Sequence, residues 1–129
     1  ILFIRGKKIM RHEMKLNNIP FVSIKNKTKT IELRLNDDKR QKINVGDEIE
    51  FINNMTSEKL LVDVVNLHKF DSFSELYKHF DKILLGYDES ELADAKDMEE
   101  YYSKEEQEKF GVLGIEIKVV SYVKKENIG

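Results

Sequence analysis

The chain of 129 residues contains no cysteine, which excludes disulfides, thiolate metal ligands and cysteine nucleophiles together. No apolar run approaches the roughly 20 residues that a membrane-spanning helix needs. No transmembrane segment is therefore expected, and a cytoplasmic location is the default reading. Histidine is sparse: His12, His68 and His79 show neither HxH nor HExxH spacing, so neither a metal nor a cofactor is predicted. Each reads as a packed or surface side chain, with His12 the one that could line a cleft. No internal repeat or low-complexity segment interrupts the chain. What is present is a globular balance of 40% hydrophobic and 36% charged residues, on a length suited to a single domain.

Charge is unevenly placed. Residues 1–42 hold twelve Lys or Arg against four Asp or Glu, whereas residues 88–108 hold ten acids against two lysines. A basic front half suggests a face for an anionic partner, unless folding interleaves the two halves and neutralises them. The acidic run reads as a solvated loop and helix that could also act as a lid. The opening ILFIRGKKI does not begin with Met, while Met10 opens a segment that reads like a domain start. Residues 1–9 are therefore expected to be a non-native or unprocessed leader, residues 10–123 the domain, and residues 124–129 a frayed tail.

Periodicity predicts the elements in between. Arg11 to Leu16 reads as a short strand with Met14 and Leu16 on one side. Asn17 or Asn18 can cap a helix with Pro20 in its first turn and Phe21, Val22 and Ile24 as its buried stripe, broken by Asn26-Lys27-Thr28. Residues 29–35 alternate cleanly. A Gly-Asp turn at Gly46-Asp47 feeds a strand from Glu48 to Phe51. Residues 58–68 read as a long strand buried through Leu61, Val62, Val64 and Val65. Asp71 or Ser72 caps a helix carrying Phe73, Leu76, Tyr77 and Phe80, all expected in the core. A further helix is expected around Met98, Tyr101 and Tyr102, ending near Gly111. Residues 112–123 read as a central strand. The pattern argues for a compact α+β fold, most simply a small mixed barrel of five to six strands with flanking helices.

The stretch Lys29-Thr30-Ile31-Glu32-Leu33-Arg34-Leu35 concentrates charge on a strand. By strand alternation Ile31, Leu33 and Leu35 share one face, and Thr30, Glu32 and Arg34 share the other. If that polar face is solvated, a Glu32–Arg34 pair there contributes at most about 1 kcal/mol. If it turns inward, the same residues form a preorganised site.

These residues resemble a known signature. KTIELRL with the following NDDKRQKINVGDEIEF is similar to the ASCH domain family, whose motif is GxKxxExR, and MRHEMKLN and YYSKEEQEKFGVLGIEI extend the likeness over residues 10 to about 120. The chain looks like a small bacterial single-domain member. The motif's lysine, glutamate and arginine fall on Lys29, Glu32 and Arg34. Its glycine falls on Lys27, and Asn26 beside it could supply the left-handed backbone instead.

The resemblance implies a PUA-like barrel with a cleft for RNA, a nucleotide or a modified nucleoside. In that cleft Arg34 offers planar donors, Lys29 a mobile charge and Glu32 an acceptor. Thr30, Lys39, Arg40 and Tyr102 join the expected ligand-binding set, and Lys25, Lys27 and Lys42 would extend a basic rim. Of Tyr101 and Tyr102, at most one is expected to reach the site, because adjacent residues on a helix diverge. The alternative is a hydrolase acting on a modified nucleoside, such as the family's amidohydrolases of N4-acetylcytidine, or on RNA. Lys29 and Glu32 would then be its acid and base. Those amidohydrolases place a threonine where this chain has Glu32, so the matching constellation is incomplete. Oligomeric state is not legible.

Overall fold

The computed structural model describes residues 2–4 and 6–124. Near the start, β1 (Leu2–Ile4) and β2 (Lys7–Ile9) form an antiparallel hairpin of their own. Part of the expected leader, like the tail beyond Lys124, lies outside the described residues. The main sheet contains β3 (Arg11–Leu16), β4 (Ile31–Leu35), β5 (Glu48–Asn53), β6 (Lys59–Phe70) and β7 (Val112–Val123), in the spatial order β3-β5-β6-β7-β4. Only β3 and β5 run parallel; β5·β6, β6·β7 and β7·β4 are antiparallel. Helices α1 (Asn18–Lys25), α2 (Phe73–His79), α3 (Lys82–Leu85) and α4 (Lys104–Phe110) complete a mixed α+β fold. Among the described residues no helix is long and apolar enough to cross a membrane.

The expected barrel is not closed. Its edge strands β3 and β4 share no ladder, and the fold is an open five-stranded sheet. The two edges nevertheless approach each other, since the Arg34 guanidinium on β4 donates to the Lys15 carbonyl on β3 at 2.9 Å. A side chain spans the seam where backbone pairing would have sealed it.

Two apolar clusters follow from the alternation of β7. Leu113, Ile115 and Ile117 join Phe21 and Ile24 of α1 and Phe51, Leu60, Val62 and Val64 of the sheet. Val112 joins Ile31, Leu33 and Leu35 of β4 with Phe73 and Leu76 of α2. Gly114 lies between Ile31 and Leu76, where an added Cβ would stand 3.2 Å from Ile31 Cγ2. Its missing side chain lets α2 settle against β4.

Two buried positions differ from expectation. Val22 of α1 is 42% exposed, because only Phe21 and Ile24 point to the sheet. Val65 is 44% exposed. Strand alternation that buries Leu60, Val62 and Val64 turns Val65 to solvent and leaves Leu61 half-buried; a register shift against β7 follows between Val64 and Asn66. Buried residues on that strand are Leu60, Val62 and Val64. Asn26 is right-handed, and Lys27 itself takes the left-handed conformation with φ +68°. The acidic run folds as a 3-10 segment over Ala95–Glu100 followed by α4, rather than one helix. Ser103 starts α4 with a capping box, its hydroxyl accepting from the Glu106 amide while Glu106 accepts from the Ser103 amide.

Candidate functional site

The seam between β3 and β4 holds a cleft of about 370 Å³, within the range of small-molecule sites. Its floor is the charged face of β4. Lys29 and Glu32 are each only 5% exposed, so the polar alternation of the strand turns inward and not to bulk water. Both nitrogens of the Arg34 fork reach the same carboxylate oxygen of Glu32, Nε at 2.9 Å and Nη2 at 2.8 Å from Oε2. Lys29 Nζ donates to the Leu85 carbonyl at 2.8 Å and lies 3.5 Å from Glu32 Oε1. Oε2 is thus committed to Arg34, whereas Oε1 meets the lysine at longer range.

The loop after α3 shapes the lysine's berth. Gly86 has φ +109°, and a Cβ there would sit 3.1 Å from Lys29 Cδ. Glycine at this position serves both the left-handed backbone and the close passage of the lysine stem. Thr30 anchors the start of the strand through its backbone, its N–H donating to Leu84 and its carbonyl accepting from Ile117.

Burial and charge act against each other in this trio. Burial lowers the Lys29 ammonium from the ordinary lysine value, and Glu32 only partly offsets it. For Glu32 burial pushes upward, yet Arg34 and then Lys29 hold its carboxyl below the usual range, so it stays ionised. Burial also opposes the charge on Arg34, but Glu32 raises it further.

Aromatic residues form the far wall. Tyr102 stacks on Phe73 with centroids 5.8 Å apart and planes at 22°, while Tyr101 is 59% exposed. Both line the cleft, contrary to the expectation that adjacent tyrosines diverge. They lie in the turn between the 3-10 segment and α4, with Tyr101 ending the former, so helical divergence does not apply. Beside them Tyr77 and Tyr87 join hydroxyls at 2.8 Å, and the Tyr87 hydroxyl donates to Asp97 Oδ2 at 2.7 Å. Burial, reinforced by these bonds, pushes the Tyr87 phenol well above its ordinary value.

Thr30, Lys39 and Arg40 are not among the lining residues, nor are Lys25, Lys27 and Lys42. Arg40 pairs with Asp37 at 3.1 Å, and the Lys25 ammonium rests 3.6 Å above the Tyr122 ring. His12 is also elsewhere, bonded to the buried Asp47 at 2.9 Å. Among the described basic residues of the front half, only Lys15, Lys29 and Arg34 reach the cleft, facing Glu91, Asp97 and Glu100 from the acidic run. The structure interleaves the two halves here. Tyr77, expected in the core, belongs to this wall; the signal was its hydroxyl within an otherwise phenylalanine and leucine stripe, since a buried tyrosine needs a polar partner.

The ASCH domain family model matches residues 14–121. The chain belongs to the ASCH domain family. Among solved structures, the crystal structure of hypothetical protein PH0355 is similar at 30% identity and TM-score 0.70, the match covering 86% of this chain and 100% of that one. The solution NMR structure of protein PF0455 from Pyrococcus furiosus is similar at 31% identity and TM-score 0.64, covering 88% of this chain and 100% of that one. No curated protein matches the chain.

Proposed function

We propose that this ASCH domain binds RNA or a nucleotide-like ligand, taking a base into the cleft floored by Lys29, Glu32 and Arg34. The observation that carries the reading is the pair at the floor, where Glu32 Oε1 lies 3.5 Å from Lys29 Nζ with both residues buried. An acceptor beside a donor, preorganised away from water, matches a base edge with its own adjacent donor and acceptor. Tyr101 and Tyr102 supply stacking surfaces of the kind that receive unstacked bases. Family membership supports the same reading, because ASCH domains are generally RNA-binding.

The test is titration of the purified chain with short single-stranded RNA and with nucleosides, followed by NMR. Binding should shift resonances of Lys29, Tyr101 and Tyr102. Tyr101→Ala removes an exposed ring, so folding should survive, and affinity should fall about tenfold by the stacking scale. A panel of RNAs and nucleosides that leaves every cleft resonance unmoved would refute the proposal.

One observation favours a hydrolase as the second reading. Burial lowers Lys29 beside an ionised Glu32, and proton transfer at neutral pH needs such a shifted amine. Turnover of N4-acetylcytidine or RNA, abolished by Lys29→Met in a folded protein, would establish it; no turnover of either would dismiss it.

A further inference from the structure

The charges around the cleft limit what can enter it, and this step rests on the binding reading above. Both cations of the floor are engaged. Nε and Nη2 of Arg34 are held by Glu32 Oε2 and the Lys15 carbonyl, and Lys29 donates to the Leu85 carbonyl beside Glu32. Their charges already balance the buried Glu32 carboxylate, and a phosphate that drew either of them away would leave that carboxylate uncompensated, which is costly. The walls add Lys15 against Glu91, Asp97 and Glu100. Three cations thus meet four carboxylates, and the cleft carries no net positive charge to offset a phosphate.

Other parts of the molecule offer less. His68 pairs with Glu116 at 3.1 Å and its ring lies near His79, but among the described residues no group of three ligands could hold a metal. A second hollow beside Asn36, Phe70 and Phe110 presents no buried charge.

We propose that the group entering the cleft is uncharged, a base with its ribose, while phosphates remain outside, so that a nucleoside binds more tightly than its own phosphates. In an RNA strand the base would turn in and the backbone would run past the mouth. Glu91, Asp97 and Glu100 then act as specificity residues that disfavour a terminal phosphate by like-charge repulsion.

The experiment uses the full chain with adenosine, cytidine, guanosine and uridine and with the 5′-mono- and triphosphate of each, titrated by NMR or calorimetry at low and high salt. The tightest nucleoside should lose severalfold in affinity with its monophosphate and more with its triphosphate, and added salt should narrow the gap. Glu91→Gln with Glu100→Gln should reduce the ratio of nucleoside to monophosphate affinity. A monophosphate that binds more tightly than its nucleoside overturns this inference and leaves the binding reading standing. A ratio that ignores both salt and the double substitution also overturns it. Failure of every nucleoside, nucleotide and RNA to bind overturns both.

Discussion

Replacing Glu32 by glutamine tests the buried trio directly. The substitution keeps the shape and removes one negative charge from between two cations, Arg34 at 2.8 Å and Lys29 at 3.5 Å. Removing one partner from a buried ion pair costs about 3 to 5 kcal/mol, because the remaining charge stays desolvated and uncompensated. Here the lower figure applies, since Lys29 keeps the Leu85 carbonyl and Arg34 keeps the Lys15 carbonyl. A loss of about 3 kcal/mol corresponds to a fall in Tm of about 10 °C for a domain of this size. The deficit should also depend on pH in a definite sense. Burial already lowers Lys29, and losing Glu32 lowers it further. Between the folded and unfolded lysine values the unfolded chain binds more protons, so stability rises with pH and the mutant recovers part of its deficit. The recovery can reach ~1.4 kcal/mol per pH unit. Urea unfolding of both proteins from about pH 6 to about pH 9 measures it. A deficit under about 1 kcal/mol would mean that water reaches the trio and that the buried-charge reasoning is wrong. A deficit unchanged across that range would mean that Lys29 does not relieve the imbalance.

Further outcomes follow from the same geometry. Gly86→Ala forces a side chain onto φ +109° and against Lys29 Cδ at 3.1 Å; it should destabilise by about 1 to 3 kcal/mol in urea unfolding, and a neutral result would dissociate the loop from the lysine. Lys27→Gly relieves a left-handed lysine and should stabilise by up to about 1 kcal/mol, less the added freedom of the unfolded chain; a Tm below the parent contradicts this. Ser103→Ala removes the hydroxyl that caps α4 and should cost about 1 kcal/mol, with amide exchange quickened at the start of that helix. Glu32 and Asp47 both titrate below the usual carboxyl range in the fold. Their contribution is complete above the unfolded carboxyl value of about 4 and is lost as pH falls through the folded values; urea midpoints should drop in acid, and Asp47→Asn should flatten the slope.

Local pattern reached far into this protein where one physical rule governed. Period-two alternation placed β3, β4 and β7, and a cap at Asp71 or Ser72 marked the start of α2; the structure gives the role to Ser72, whose hydroxyl accepts from the Glu75 amide. The rule failed where a second constraint entered. Leu61, Val62, Val64 and Val65 cannot all share one strand face, and only tertiary packing decided that Leu60, Val62 and Val64 turn inward and Val65 outward. Tyr101 and Tyr102 reach one cleft because a 3-10 turn replaces the expected helix.

The site divides in the same way. Glu32 and Arg34 on one strand face, with Lys29 just before them, were legible from spacing alone, as was the likeness to the ASCH signature, because both depend on neighbours in the chain. Whether that face met water or interior was not. The decision lies with contacts between distant segments: Leu85 takes the Lys29 ammonium across 56 residues, Lys15 takes Arg34 across 19, and Asp97 and Tyr87 complete the wall. The same side chains on an open strand would be a solvated ion pair of little consequence. Only the approach of β3 to β4 at an unsealed seam, with α3 folded over it, removes them from water and turns the sequence motif into a cleft.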